Sequence, residues 1–285
     1  MSGLKNNLDL FSKSIFHWLN YENSVCKTNL LVELSVRFPL AEYIERKLKS
    51  NVELEFKHPY YAQYNLSKKI DFKIGNGPFD YIELKYLGQS TADKSERFRY
   101  LADLIRLAYV SEGNDEAYFL LCGGKNEYLN NFRYTIDEVN EKIPEEGVND
   151  RKVKHKVYSK WFATEKINES KSFVPAEFQE FFKDYNDNYK EALPTFKIVT
   201  KLVGREYQED CGVVVFIWLV TKEQVQYREW SVDELNQIRS LNLNNAKSTI
   251  DKKLSKLCKD QNRKKWEIVI KLRELGKDVV KLVSE

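Results

Sequence analysis

The chain has 285 residues, of which 42% are hydrophobic, and this is enough for a packed core in one large domain or two smaller ones. Its formal net charge of +3 excludes a polycation, and no apolar stretch reaches membrane-spanning length. The N-terminus lacks the basic and apolar segments of a secretory leader, so we expect a cytoplasmic protein without a membrane partner. The four cysteines are far apart and predict neither a zinc site nor a disulfide framework.

The first half of the chain alternates between helical and strand patterns. The predicted elements are a helix at 8–19, a helix at 29–49, strands at 52–56, 69–74 and 79–87, a helix at 91–110, and a strand at 116–122. Pro39 is expected to kink or restart the second helix, and Gly123-Gly124 to end the last strand as a turn. The order helix, three strands, helix, strand predicts an α/β fold (α+β elements around a mixed sheet).

The second half is predicted to add a polar insertion, two strands and a basic helical region. The insertion spans 126–188 and contains a short helix at 175–185, and the strands follow at 196–203 and 212–221. Ser231-Val232-Asp233-Glu234 is a capping box that opens a helix, and the rest of the chain is helical and basic. We therefore predict a core at 1–190 and a C-terminal region at 191–285, which can also form one domain with it.

The turn Gly75-Asn76-Gly77-Pro78 joins two strands that carry two acids and a lysine. A loop of three residues, 76–78, sets Asp71 opposite Glu83, with Lys85 on the same face of the second strand. The same register leaves four apolar side chains on the other face: Ile70, Phe72, Ile82 and Leu84. A slip of one residue would separate the acids. Opposed carboxylates indicate a cation between them, although a polar strand face with an ion pair is the alternative.

These residues resemble the motif of the PD-(D/E)xK nuclease superfamily, which has the restriction-endonuclease-like fold. The motif here is Ile70-Asp71, eleven intervening residues, and Glu83-Leu84-Lys85, with Ile70 in place of the proline. The resemblance covers about 29–124, and the superfamily's helix, three strands, helix, strand is the order predicted above. The superfamily often adds an acid from the first helix. Glu33 matches it best and Glu42 is its rival, but Glu33 also has a structural explanation in its i, i+4 spacing to Arg37.

The resemblance implies metal-dependent hydrolysis of phosphodiester bonds in DNA, by an endonuclease of a restriction, defence or DNA-processing system. Asp71 and Glu83 would bind Mg²⁺ or Mn²⁺, with the backbone carbonyl of Leu84 and the acid Glu33 as further ligands. Lys85 would orient or deprotonate the attacking water. RNA stays open as a substrate, and cutting both strands of a duplex would favour a homodimer. The alternatives are a catalytically inactive nucleic-acid-binding or assembly module with the same fold, and an interaction protein without a nucleic-acid role.

Basic residues outside the motif are candidates for contact with nucleic acid. Residues 247–285 contain twelve Lys or Arg against six Asp or Glu, which suggests an acidic polymer as partner, although the charge excess by itself favours a solvated helix face. The candidates are Lys73, Arg99, Arg106, Lys154, Lys252, Lys253, Lys256, Arg263, Lys264 and Lys265. For Arg99 and Arg106, which share a helix face with Asp103, a salt-bridged surface is the favoured alternative. Lys154 belongs either to a basic arm or to an edge strand protected by lysines.

Overall fold

The structure, a computed structural model, describes residues 4–25, 31–62, 66–88, 94–131, 160–181, 193–225, 228–243 and 247–277. These residues form helices and one mixed β-sheet. The helices are α1 (Leu8–Ser24), α2 (Glu33–Lys47), α3 (Pro59–Ala62), α4 (Lys94–Val110), α5 (Lys125–Asn131), α6 (Val232–Arg239), α7 (Lys247–Asp260) and α8 (Lys265–Glu274). The strands are β1 (Val52–Lys57), β2 (Lys69–Ile74), β3 (Asp80–Leu87), β4 (Glu116–Gly124), β5 (Ser170–Phe173), β6 (Lys197–Tyr207) and β7 (Val213–Glu223). Two 3₁₀ helices span Leu4–Asn7 and Pro175–Phe181.

The sheet has the strand order β1-β2-β3-β4-β7-β6-β5. β3 and β4 are parallel and the other neighbouring pairs are antiparallel. The nearly continuous apolar runs of β4 and β7 lie side by side in the middle of the sheet, where they are buried on both faces as their composition predicts. The predicted mixed α/β architecture is therefore present, with the strands β1 to β3 and the helices α2 and α4 in the predicted order, and with the short α3 between β1 and β2.

The hairpin of β2 and β3 has the predicted register. Phe72 pairs with Ile82, Lys73 with Tyr81, and Ile74 with Asp80. The turn contains Gly75 and Gly77 at φ of +95° and +97°, a conformation that glycine adopts without a steric penalty. On the apolar side, Phe72, Ile82 and Leu84 pack into a core that also includes buried residues of α1 and α2. The opposite side of the same strand pair is therefore left to the charged residues.

Two predicted interruptions do not occur in the described residues: a restart of α2 at Pro39 and a turn at Gly123-Gly124. α2 continues through Pro39 because Val36, Leu40 and Ile44 anchor the helix to the core on both sides of it. Pro39 itself is exposed, so water can satisfy the carbonyl group that its missing N–H leaves without a partner. Gly123-Gly124 does not form a turn but completes β4, because both residues pair with β7 and Gly123 also pairs with Leu87. The helix α5 follows directly.

The chain divides into two compact units that differ from the predicted boundary near residue 190. Unit 1 contains Met1–Phe173 and Lys197–Glu223, and unit 2 contains Val174–Phe196 and Gln224–Glu285. The predicted C-terminal strands belong to unit 1 because β7 pairs with β4 and β6 pairs with β7.

Unit 2 has its own apolar cluster, centred on Ile238, Leu254 and Ile268. The predicted capping box is confirmed, since Ser231 Oγ accepts the N–H of Glu234 and the Glu234 carboxylate accepts the N–H of Ser231. The described part of the predicted helix at 175–185 is a 3₁₀ helix. No helix within the described ranges combines the length and the apolar character needed to cross a membrane.

Candidate functional site

Asp71 lies at the point where the pairing between β2 and β3 ends. The next pair in the register after Phe72↔Ile82 would be Asp71 and Glu83. The Asp71 side chain turns toward β3 instead, and its Oδ2 accepts the backbone N–H of Leu84 at 2.8 Å. Because the N–H and C=O of one strand residue face the same neighbour, the carbonyl of Leu84 is directed to this side as well. A buried carboxylate and a main-chain carbonyl therefore lie on the same side of β3.

Glu83 is fully buried and is held by a helix rather than by the hairpin alone. Its Oε1 accepts a hydrogen bond from Nε of Arg106 on α4 at 2.9 Å. Arg106 also donates to Asp103, one turn earlier on the same helix. Asp103 is 2% exposed, so this part of α4 does not form the salt-bridged surface that was the favoured interpretation of the sequence. Asp103 and Arg106 belong to the site.

Lys85 is placed by two carboxylates that come from different helices. Its Nζ lies 3.4 Å from Oε2 of Glu33 on α2 and 3.0 Å from Oδ2 of Asp103 on α4. The sequence places Lys85 beside Asp71 and Glu83, and those two acids act on it as neighbouring charges in addition to its direct partners. Of the two rival acids of α2, Glu33 is at the site, whereas Glu42 pairs with Arg46 on the exposed side of the helix.

Arg37 completes the set from the second turn of α2. Its Nη2 lies 2.6 Å from Oδ1 of Asp71 and 3.2 Å from Oε1 of Glu33, and its Nη1 donates to Glu55. Ion pairs thus connect seven side chains of alternating sign, which we call the charge chain: Asp71, Arg37, Glu33, Lys85, Asp103, Arg106 and Glu83. The two residues at its ends, Asp71 and Glu83, are the two acids of the predicted hairpin motif, and the further predicted ligand Glu33 lies between them along the charge chain.

Burial sets the protonation equilibria of the charge chain. It raises the pKa of Glu83 well above its ordinary value, against the opposing charge of Arg106. It also raises the pKa values of Asp71 and Glu33, with Lys85 as the main opposing charge for each. Burial alone would lower the pKa of Lys85, but Asp103 and Glu33, and then Glu83 and Asp71, raise it. A protonated lysine thus stands near three carboxylates, Asp71, Glu33 and Glu83, whose charged forms are disfavoured by burial, and a further positive charge would stabilise those charged forms.

The side chains of this site suit a hard divalent cation in their chemistry. Such ions prefer carboxylate and carbonyl oxygens, which Asp71, Glu83, Glu33 and the backbone of Leu84 provide. Asp103 Oδ2 accepts no hydrogen bond from the described residues although it is buried, and its contact with Lys85 is an ion pair only. As the side chains stand, no group of three or more described Asp, Glu, His or Cys residues is arranged to hold a metal ion. The position between Asp71 and Glu33 is taken by the guanidinium of Arg37.

The remaining nucleic-acid candidates of unit 1 lie outside the charge chain. The Lys73 ammonium stands over the rings of Phe56 and Phe79, 4.1 and 4.3 Å from their centroids, and 3.8 Å from Glu53. Its charge is therefore engaged within the hairpin region. Arg99 is exposed on α4, in contrast to Arg106 on the same face. Lys154 lies outside the described residues.

The basic candidates of unit 2 fall into two classes. Arg263 is buried, contacts Glu234 and Glu267, and stacks over Trp230 at 4.1 Å. Its charge stabilises unit 2 internally, unlike the predicted exposed contact. Lys264 and Lys265 are exposed but stand 2.6 and 3.5 Å from carboxylate oxygens of unit 2.

The second class lies on the solvent face of α7. Lys252, Lys253 and Lys256 are exposed there, together with Lys259, which the sequence interpretation did not single out. None of their ammonium groups forms an ion pair or a hydrogen bond with a residue of the described ranges. This group, which we call the α7 lysines, is an uncompensated basic surface in the described part of unit 2.

Arg37 and Asp103 are the functional candidates that sequence reasoning missed as such. Arg37 was considered only as a helical partner of Glu33, and Asp103 only as part of a surface row. A usable signal existed, because each lies one or two turns from another candidate of the site: Arg37 from Glu33, and Asp103 from Arg106. What the spacing could not show is that α2 and α4 approach the same strand pair.

Comparison of the chain with protein-family models, with curated proteins and with solved structures found no match. The chemistry of the site therefore has to be argued from its own residues.

Proposed function

We propose that the protein is a metal-dependent nuclease that hydrolyses phosphodiester bonds in DNA, as an endonuclease of a restriction, defence or DNA-processing system. We further propose that α2, β1, β2, β3, α4 and β4 form a restriction-endonuclease-like core of the PD-(D/E)xK type. One observation carries the proposal: Asp71, Glu83 and Lys85 meet on a single chain of ion pairs together with the helix acid Glu33. A structural ion pair on a strand face would need none of these helix contributions.

The acids of the site are proposed to provide the ligands of Mg²⁺ or Mn²⁺. Asp71 and Glu83 would contribute carboxylate oxygens, with Glu33 and the Leu84 carbonyl as further donors. The ion, when bound, polarises the scissile phosphate and lowers the pKa of a water molecule that it binds. The Leu84 N–H fixes the orientation of Asp71 by its hydrogen bond to Oδ2, which leaves Oδ1 to face the site.

Lys85 is proposed to act as a fixed positive charge. Burial opposes this charge, but the surrounding carboxylates raise the pKa of Lys85 above its ordinary value, so the side chain stays protonated. An ammonium in this position donates hydrogen bonds to the attacking water or to a phosphate oxygen, and it offsets negative charge in the transition state. Of the two roles considered from the sequence, orienting the water is therefore favoured over deprotonating it.

DNA is proposed as the substrate because unit 2 offers positive charge on a solvent-exposed helix face. Residues 247–285 hold an excess of six positive charges, and the α7 lysines display part of it on a solvent face. Lysines in such a row contact successive phosphates without reading the sequence. Cleavage of both strands would need two sites, which a homodimer provides.

The test is cleavage of supercoiled plasmid DNA by the purified protein with Mg²⁺ or Mn²⁺. We expect nicking by the unmodified protein and at least a hundredfold loss in Asp71→Ala and Lys85→Ala, an order of magnitude typical for removal of one stabilising group. Two matched controls share the chemistry but lie outside the site: Lys57→Ala changes an exposed lysine that also follows an acid by two residues, and Glu42→Ala changes the exposed rival of Glu33. Equal nicking by all variants would refute the assignment.

A second candidate function is nucleic-acid binding without catalysis. The observation that favours it is that Arg37 pairs with Asp71 and Arg106 pairs with Glu83. These guanidinium groups neutralise the two acids without a metal ion. It predicts DNA binding with a steep salt dependence, no cleavage with any divalent cation, and equal binding by the Asp71→Ala variant.

A further inference from the structure

Arg37 contacts three carboxylates with one guanidinium group. Nη2 bridges Asp71 and Glu33 at 2.6 and 3.2 Å, and Nη1 donates to Glu55 of β1. The residue is 8% exposed, so these are contacts of a largely desolvated charge. Two of the three acids, Asp71 and Glu33, are proposed ligands of the divalent cation. One nitrogen of Arg37 therefore uses the same oxygen atoms as the ion would.

The guanidinium and a divalent cation cannot both hold these oxygens closely. Like charges a few ångströms apart in a buried site repel strongly, because the local dielectric constant is low. Binding of the ion therefore requires Arg37 Nη2 to leave Asp71 and Glu33. A buried guanidinium without an anionic partner is unfavourable, so the displaced group needs another acceptor.

The contact with Glu55 keeps Arg37 at the site after such a displacement. Glu55 accepts from Nη1 and takes no part in the proposed metal ligation. Glu55 stands between the pairs Leu54↔Phe72 and Phe56↔Ile70, hence opposite Asp71, and has a φ of +54°, which is unusual for a residue with a side chain. Backbone strain of this kind persists only where the surrounding contacts maintain it. The Arg37–Glu55 pair is such a contact.

The Nε–H of Arg37 provides a further donor on the same guanidinium group. This atom is buried and has no hydrogen-bond partner among the described residues. Arginine presents Nε–H and one Nη–H side by side, a geometry that matches two oxygens of one phosphate group. If Nη2 leaves the carboxylates, the guanidinium offers both donors to a phosphodiester next to the metal position.

We propose that Arg37 is a further residue of the site, which holds Asp71 and Glu33 in the metal-free protein, yields their oxygens to the divalent cation, and then binds the phosphodiester of the substrate. This inference rests on the proposed function, because it concerns the same carboxylates. It makes positive charge available at the phosphate only once the ion is in place.

The direct test measures Mn²⁺ binding without nucleic acid. Titration calorimetry, or electron paramagnetic resonance of free Mn²⁺, compares the unmodified protein with Arg37→Met and with Arg46→Met. Arg46 is a matched control, since it pairs with Glu42 on the exposed side of the same helix. Loss of the competing cation should tighten Mn²⁺ binding by about tenfold in Arg37→Met, which corresponds to the loss of one charged hydrogen-bond contact, and should leave Arg46→Met unchanged. Equal or weaker Mn²⁺ binding by a folded Arg37→Met protein would overturn the inference.

A second measurement does not depend on the folding of a variant. Arginine Nε–H signals of the unmodified ¹⁵N-labelled protein are followed by NMR during a Mg²⁺ titration. We expect the Arg37 signal to shift with saturation of the ion while the Arg46 signal stays in place. Calorimetric Mg²⁺ binding with a stationary Arg37 signal contradicts the exchange.

The phosphate part of the inference is tested by fluorescence anisotropy of a short DNA duplex with and without Ca²⁺, an ion that also prefers oxygen ligands. Ca²⁺ should increase the affinity for the duplex in both proteins. The increase should be several-fold larger for the unmodified protein than for Arg37→Met. An equal gain in both proteins argues against a contact between Arg37 and phosphate.

If the protein cleaves DNA but Arg37→Met binds Mn²⁺ no more tightly, only this inference fails. If Arg37→Met gains Mn²⁺ affinity but no protein cleaves, the nuclease assignment fails and the exchange stands.

Discussion

The carboxylate of Asp103 lies 3.0 Å from the ammonium of Lys85, although the two residues belong to a helix and a strand that are separate in the chain. Burial alone would lower the pKa of Lys85, but the surrounding carboxylates raise it above its ordinary value. Asp103 contributes most to this increase. Asp103 is therefore a positioning residue for the lysine of the motif. It acts through the charge of Lys85 rather than by contact with a reacting atom.

Replacement of Asp103 by Asn should affect activity through Lys85. We expect cleavage to fall about 10- to 100-fold, as is typical when a group that orients a functional side chain is lost. The alkaline limb of the pH–rate profile should also shift to lower pH. The reason is that Lys85 loses the charge that stabilises its protonated form most, so its pKa falls. The measurement is the pH–rate profile of Asp103→Asn next to that of Glu112→Gln, a control that breaks the exposed pair with Lys222. A uniform loss of rate with an unshifted profile would indicate a purely structural role.

Removal of Arg106 should destabilise unit 1. Glu83 is 1% exposed and would remain as a buried carboxylate without its nearest cation, which costs about 3–5 kcal/mol of unfolding free energy. Urea unfolding of Arg106→Met at neutral pH measures this loss. Arg46→Met breaks an exposed pair and should cost less than about 1 kcal/mol.

The loss in Arg106→Met should shrink as the pH is lowered. Burial already raises the pKa of Glu83, and without Arg106 the pKa rises further, so protonation relieves the buried charge. An equal loss at pH 5 and pH 8 would mean that the guanidinium matters for packing rather than for its charge.

The α7 lysines should account for part of the salt dependence of DNA binding. Each phosphate contact contributes roughly 0.9 to the slope of log K against log salt concentration, so Lys252→Gln, Lys253→Gln and Lys256→Gln together should reduce it by about 2–3. The control is Lys264→Gln with Lys271→Gln, two lysines of unit 2 that already face Glu177 and Glu274. If the triple variant and the unmodified protein have the same slope, the α7 lysines form a solvated helix face and do not contact DNA.

Asp80 should give the stability of unit 1 a pH dependence of unusual sign. Burial raises the pKa of Asp80 to about 6, with further contributions from Glu116 and Asp115 against the hydrogen bond from the Leu4 N–H. The folded state therefore holds this proton more tightly than the unfolded chain does, so stability falls as the pH rises from about 4 to about 6. In Asp80→Asn this loss is absent, and the amide oxygen can still accept the Leu4 N–H.

The comparison of Asp80→Asn with the unmodified protein isolates this contribution from that of His58. Burial lowers the pKa of His58 to about 4, which makes stability rise with pH over the same interval. Because His58 is common to both proteins, its effect cancels in the difference. Relative to the unmodified protein, Asp80→Asn should gain about 1–2 kcal/mol between pH 4 and pH 7, a value reduced for partial solvent screening. A constant difference across this range would contradict the prediction.

The hairpin was predictable from the sequence because local rules determine it. Turn length and the alternation of apolar and polar residues both require Phe72 to face Ile82, and the structure has this pair. The acids follow from the same register. Glu33 was also identified, since its helix precedes the strands in the order that the motif requires.

Other parts of the site depend on how helices pack in space. Sequence spacing describes Arg37 and Asp103 only relative to their own helices, and on that basis each has a sufficient partner within one turn. Their contacts with Asp71 and Lys85 arise because α2 and α4 approach the same two strands. Pro39 shows the same limit, since tertiary contacts on both sides keep α2 continuous where local propensity predicts a break.

The interleaved division of the chain has a consequence for synthesis on the ribosome. β4 is central in the sheet, but its partner β7 ends only at Glu223, after the segment Val174–Phe196 that belongs to unit 2. A nascent chain must therefore expose one edge of β4 while about a hundred further residues are made. β5 also lacks its partner until β6 has been synthesised. Unpaired edges of apolar strands promote aggregation. A fragment that stops near residue 190 would retain this exposed edge permanently, so we expect it to be recovered in inclusion bodies while the full chain folds.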